Sequence, residues 1–177
     1  LSTWSQVLQA VPNSRLLLLA PPTRRVEASL GAALDTCGID RQRVKLHPRC
    51  TSAVYLQLLG QADVALDPFP FNGHTTTCDA LWQGVPVVSL AGNCYAARFG
   101  SSALRVLGLE DLIATSPAQY IEVLAQLARD AGRLAWVWAT RTDRDKAFYS
   151  IPNFLDTRER QQSFAALAAF ANWGANL

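Results

Sequence analysis

Charge is what this chain has least of. Asp, Glu, Lys and Arg make up only 17% of its 177 residues, against an apolar share of 50%. So thin a charged surface is unusual for an independent domain and points to a face that packs on something else. A net charge of +2, with no long Lys/Arg stripe, gives a nucleic-acid partner no footing. No run of 18 apolar residues exists, so no membrane span is expected. The cysteines, Cys37, Cys50, Cys78 and Cys94, are widely spaced and form no CxxC pair, which excludes the common zinc modules. A chain of this length buries enough core to do without staples, so the thiols are expected to be reduced and the location cytoplasmic. Leu1 stands where an initiator Met would, with no signal-like region, and a piece of a longer or processed chain is expected. The GxSxG elbow, the P-loop and the GxGxxG fingerprint are all missing. No spacing of Asp, His and Cys marks a triad.

What is present is an alternation of short apolar runs and helical patterns. Strands are expected at 15–20 (the LLLL run), 43–47, 64–67 and 85–90, with 112–114 as a fifth, at an edge. Between them lie helices from Trp4 to Ala10, from Val26 to Cys37, from a Ser52 cap through Leu59, from Tyr95 to Leu107, and from Pro117 to about Ala131. Gly38, Gly84 and Gly108 are their expected stops. Strand-helix repetition of this kind predicts an α/β fold, a Rossmann-like parallel sheet flanked by helices. Residues 131–177 are read as a C-terminal helical segment, helical again from Thr157, with Phe164, Leu167, Ala168 and Ala171 turned inward.

The most informative stretch is 62–90, ADVALDPFPFNGHTTTCDALWQGVPVVSL. It reads as a buried strand, a loop begun by Asp67-Pro68, a helix opening with polar residues, and a second buried strand. In an α/β sheet that loop lies at the carboxyl edge of the strands, where ligands bind. First-turn amides have no helical partners, and the helix dipole adds positive potential there. Thr75 or Thr76 can cap the helix or donate hydroxyls to a phosphate. Gly73 lets the backbone approach closely and Asn72 tolerates an unusual turn. An ordinary capped helix with no ligand satisfies the same pattern.

Other candidates divide in the same way. His74 can donate to a diphosphate or bond to its own loop; His47, at the end of a strand, is a weaker candidate. Asp79 can reach a ligand hydroxyl or complement the helix start. Asp67 is placed for a site, or else fixes the loop through backbone donors. Cys78 reads as core. Arg98 can face a phosphate, an opposing surface or solvent. Phe69, Phe71, Trp82 and Tyr95 can wall a base or sugar pocket, but each taken singly reads as packing. The charged run Arg141 to Lys146 reads as a solvated face.

With NGHTTTCDALWQGVPVVSL on the page, a resemblance becomes specific. The chain resembles the C-terminal lobe of the O-linked N-acetylglucosamine transferase and Spindly family, bacterial relatives included. The likeness runs from VPNSRLLLL at Val11 through GNCYAARFGSSALRVLGLEDLIA, about 11–130, and IPNFLD (151–156) resembles the family's closing segment. It implies one nucleotide-sugar-binding lobe over 1–177, the second half of a two-lobed GT-B glycosyltransferase. It also implies transfer of a sugar to protein Ser or Thr, with inversion and without a metal. The implied donor is UDP-N-acetylglucosamine, or GDP-fucose in the Spindly branch, used as substrate and not as a tightly bound cofactor. The implied partners are an acceptor protein, an upstream N-terminal catalytic lobe and tetratricopeptide repeats; none of those repeats is visible in this sequence. Carried over by motif, His74, Thr75 and Thr76 contact the donor diphosphate, Asp79 the ribose side, and Asn72 and Gly73 shape the loop. Arg98 matches the Arg of the family's ASR segment. Where animal members place Lys, His and Arg along the nucleotide, this chain has Ser52, Tyr55 and Leu58, and Tyr55 then stacks on the base or fills the pocket.

Two rival functions fit the same residues. One is a non-enzymatic interaction domain on this scaffold, which the Ser52, Tyr55 and Leu58 departures favour. The other is a glycosyltransferase with a different donor or acceptor.

Overall fold

The apolar runs line up as strands of one sheet. A computed structural model of the chain describes residues 2–19, 23–129 and 166–169. In chain order the main elements are α1 (Ser2–Ala10), β1 (Arg15–Leu19), α2 (Arg24–Thr36), β2 (Val44–His47), α3 (Ser52–Leu59) and β3 (Val64–Leu66). They continue with α4 (Thr75–Gln83), β4 (Val87–Leu90), α5 (Phe99–Val106), β5 (Ile113–Ala114), α6 (Pro117–Arg129) and β6 (Ala166–Ala169). The strand order is β2-β1-β6-β3-β4-β5, and every pairing is parallel. The chain winds outward from β1 to β2 on one side and from β3 to β5 on the other. That reversal puts the crevice beyond the carboxyl ends of the middle strands, where open α/β sheets take their ligands.

Burial follows position in the sheet. Val64, Ala65 and Leu66 of β3 and all four residues of β4 are buried, as helices on both faces require. On β2, an edge strand, Lys45 and Leu46 are exposed. Helix α6 buries Tyr120, Val123, Leu124 and Leu127, one stripe at helical spacing. Leu124 is wholly enclosed, and truncating it to Ala would cost about 2–5 kcal/mol. Val7 and Leu8 anchor α1, with Trp4 packed partly against the same core.

Where helices stop, the expected glycines do the stopping. Gly84 takes a left-handed φ of +80°, and the next amide, Val85 N–H, donates back to Ala80 O at 2.8 Å. Gly38 has φ +64°.

Three expectations are corrected. Helix α3 is entered from Thr51, extended at φ −65° and ψ 156°; Ser52 is already helical and is not the cap. The stretch from Tyr95 to Leu107 is not one helix: a 3-10 turn at Tyr95–Ala97 gives way to α5 at Arg98, whose φ of −125° is not helical. The carbonyls that would continue the helix are diverted, Ala96 O to Asn72 N–H and Ala97 O to Gly92 N–H, both at 2.8 Å. The C-terminal expectation fails at 166–169, which is a strand and not part of a helix carrying Leu167 and Ala168. Ala168 pairs with Leu17 on one side and Ala65 on the other. Two neighbouring strands supply more hydrogen bonds than the helical preference of an Ala-rich segment can outweigh. Phe164, Ala171 and the 141–146 run lie outside the described residues.

Candidate functional site

The loop between β3 and α4 is built on one buried carboxylate. Asp67 follows β3 directly and is only 3% exposed. Its Oδ1 accepts from Gly73 N–H at 2.9 Å and lies 3.2 Å from Thr77 Oγ1; its Oδ2 accepts from Ser89 Oγ at 2.5 Å. The Thr77 hydroxyl is closer to Gly73 O, at 2.7 Å. Burial pushes the Asp67 carboxyl up to about 6, against the opposing pull of Ser89, Gly73, Thr77 and the nearby His74. Asn72 is buried too: its amide donates to Ala96 O and its Nδ2 to Pro68 O at 3.0 Å. A side chain at Gly73 would strike Thr76 Oγ1 and come within 2.9 Å of Thr77 Oγ1, so both hydroxyls would have to move to admit one.

Helix α4 opens without a cap. His74 occupies the N-cap position at φ −99° and ψ −80°, and its side chain makes no capping bond. The expectation that Thr75 or Thr76 caps the helix is therefore corrected: both are inside it, Thr75 exposed and Thr76 half-buried. The cap side chain supplies no acceptor to the first-turn amides, which have none within the helix itself. The His74 ring sits among aromatics, 4.3 Å from Phe99, 6.0 Å from Tyr95 edge-on and 6.3 Å from Phe71 (centroid distances). Its Nε2 is buried with no hydrogen-bond partner among the described residues.

Tyr55 on α3 faces Asp79 on α4. Burial and then the Asp79 carboxylate raise the Tyr55 phenol above its ordinary value, and burial raises Asp79 against the pull of Tyr55. Ser52 is exposed and Leu58 half-buried on the same short helix. Arg98 is exposed, but its guanidinium is tied back to the neighbouring loop, Nε to Gly92 O at 3.0 Å and Nη2 to Asn93 O at 3.4 Å. His47 Nδ1 lies 2.8 Å from Pro48 O.

Two readings of single residues change. Cys78 is exposed and not core, because the buried face of α4 is Thr77, Ala80 and Leu81. Phe69, Phe71, Trp82 and Tyr95 are not packed inside: they are 55%, 67%, 57% and 79% exposed, and of these Phe71 and Tyr95 stand beside His74. The contributions of Ser89, Phe99 and Gly100 went unread. A serine in the otherwise apolar buried strand VVSL and a glycine inside a helix were the available signals. Among the described residues no group of three or more His, Cys, Asp or Glu side chains gathers as a metal site, and no helix is long and apolar enough to cross a membrane.

The parallel sheet flanked by helices matches the Rossmann-like, GT-B type of fold seen in a solved O-GlcNAc transferase. The chain is a member of glycosyl transferase family 41, the family of Spindly and O-GlcNAc transferases, whose profile matches residues 1–152. It is 37% identical over 138 residues to the probable UDP-N-acetylglucosamine–peptide N-acetylglucosaminyltransferase SPINDLY of Solanum lycopersicum, 76% of this chain and 15% of that protein. With the UDP-N-acetylglucosamine–peptide N-acetylglucosaminyltransferase of Caenorhabditis elegans it shares 33% identity over 146 residues, 80% of this chain and 13% of the relative. A solved structure of a mutant Thermobaculum terrenum O-GlcNAc transferase superposes with a TM-score of 0.77 at 32% identity, covering 90% of this chain and 32% of the other. The chain thus spans about a seventh of these curated relatives and a third of the solved chain.

Proposed function

We propose that this chain is the donor-binding lobe of an inverting, metal-independent glycosyltransferase that moves N-acetylglucosamine from UDP-N-acetylglucosamine to protein Ser or Thr hydroxyls. The observation that carries the reading is the uncapped opening of α4 beside the buried Nε2 of His74, which has no partner among the described residues. Departure of a sugar from its nucleotide leaves negative charge on the diphosphate. The first-turn amides of α4, the Thr75 and Thr76 hydroxyls and His74 Nε2 are donors of the kind that stabilise such charge without a cation. Being fixed in the fold, they need no reorganisation as the bond breaks. Asn72 and Gly73 shape the loop that presents them, and Asp79 with Tyr55 forms the neighbouring wall on the nucleoside side. In this reading a facing upstream lobe, with tetratricopeptide repeats before it, brings the acceptor protein. Arg98, held on the 92–93 loop, serves the rim of the cleft.

The test is a donor-hydrolysis and transfer panel on the full-length protein, with UDP-N-acetylglucosamine and GDP-fucose as the first pair. Thr75→Ala and His74→Ala are expected to cut turnover by about 10²–10³-fold, equivalent to about 2.7–4 kcal/mol for one donor lost from an oxyanion site. A protein that binds neither sugar nucleotide, with Thr75→Ala indistinguishable from wild type, would leave the non-enzymatic interaction domain as the better account. Transfer from GDP-fucose alone would keep the reaction class and change the donor.

A further inference from the structure

Asp67 is the most buried carboxylate described, and the donor-binding reading gives it no contact with ligand. Its neighbours come from four separate elements. Gly73 N–H belongs to the loop, Thr77 to the first turn of α4, Ser89 to β4, and Gly100 to α5. Gly100 has no room for a side chain: a Cβ there would run into Asp67 Oδ2 and Ser89 Oγ and lie 3.0 Å from Asp67 Cγ. The space against the carboxylate is kept clear by that glycine. A carboxyl group of this kind is poorly suited to stability alone, since an apolar residue would bury more cheaply.

We propose that Asp67 is a positioning residue for donor binding: through Gly73 N–H and Thr77 on one oxygen and Ser89 on the other, it sets where the first turn of α4 meets the diphosphate. The geometry has a direct consequence. Gly73 N–H is consumed by Asp67 and is not among the ligand's donors; its bond instead pins the loop one residue before His74. Thr77, buried and donating to Gly73 O, holds the following peptide, so both sides of Gly73 are fixed. Ser89 ties the whole assembly to the sheet, so the position of the anion site is referred to β4 and not to the exposed aromatic rim. The groups facing Asp67 that carry or can carry charge are His74 and the buried phenol of Tyr120.

Acceptance of hydrogen bonds is what this role needs, so shape counts for more than charge. Asparagine can accept from Gly73 N–H with Oδ1 and donate to Ser89 Oγ with Nδ2. This inference rests on the donor-binding reading, and its experiment separates the two. Full-length wild-type protein and the Asp67→Asn, Asp67→Ala and Ser89→Ala variants are titrated with UDP and with GDP, and melted in the same buffer. Expected are binding of one nucleotide by wild type, an affinity within threefold for Asp67→Asn, at least tenfold weaker for Asp67→Ala, and two- to fivefold weaker for Ser89→Ala. A purely structural carboxylate would move the melting temperature and leave the affinity of the folded fraction alone. Folded Asp67→Ala with affinity within twofold of wild type overturns the inference, as does equal loss in Asp67→Asn and Asp67→Ala. If Asp67→Ala does not fold, Ser89→Ala decides, and wild-type affinity there overturns it. Wild type that binds neither nucleotide defeats the donor-binding reading itself and this inference with it.

Discussion

His74 and Asp67 are the two residues whose surroundings differ most from what a capped, ligand-free helix would need. His74 holds the N-cap position without capping, and its buried ring nitrogen, among aromatics, has no partner among the described residues. Asp67 carries a charge where burial opposes it. The second fact has a sign that can be measured. The folded-state value, about 6, lies above the ordinary 3.8, so between those pH values the folded protein holds more protons than the unfolded chain. Stability contributed by Asp67 is therefore greatest below about pH 4, falls as pH rises to about 6, and is flat above. Integrated over that interval the loss has a ceiling of about 3 kcal/mol. Urea melts at pH 4.5 and 7.5 should show this slope in wild type and lose it in Asp67→Asn. An identical slope in both would place the pH dependence elsewhere.

At the scale of elements, the glycine-marked helix ends were legible, as was the proline-marked start of α6 at Pro117, while the starts of α3 and α4 were not. Gly38, Gly84 and Gly108 stop helices as expected because a left-handed φ is a backbone demand that glycine alone meets cheaply. Gly38 isolates that demand, since a Cβ there would meet nothing within 4 Å. Gly38→Ala should cost about 1–2 kcal/mol from backbone conformation alone, with Gly38→Asn closer to wild type in thermal melts. Starts are harder to read because Ser, Thr and Asn satisfy an amide from several neighbouring positions. Ser52 against Thr51, and Thr75 or Thr76 against His74, are both displacements of one or two residues. The break at Arg98 had no local signal at all, because it depends on Asn72 and Gly92 claiming carbonyls across the loop.

For the molecule as a whole, the decisive arrangement is the sheet order and the reversal it contains. Residues 166–169 take the central place between β1 and β3, although their composition reads as helix. Amide hydrogen exchange should find Leu167 and Ala168 protected to the level of Leu17 and Ala65. Exchange as fast as at an exposed helix end would contradict the central strand. The same reversal gathers at one edge the β3–α4 loop, the 92–98 loop and α3, bringing Tyr55 beside Asp79 and Phe99 beside His74.

By itself the sequence determined the α/β class, the strand and helix succession through residue 129, and the 72–79 stretch as the place to look. Those follow from hydrophobic period, glycine stops and a local motif, all of which act over a few residues. Tertiary structure alone decided that Asp67 faces inward onto Gly73, Thr77 and Ser89, that Phe71 and Tyr95 stand exposed beside His74, and that a C-terminal segment pairs as a strand. Each of these depends on which distant segment supplies the partner for a buried polar group or an open sheet position, and no local pattern encodes that choice.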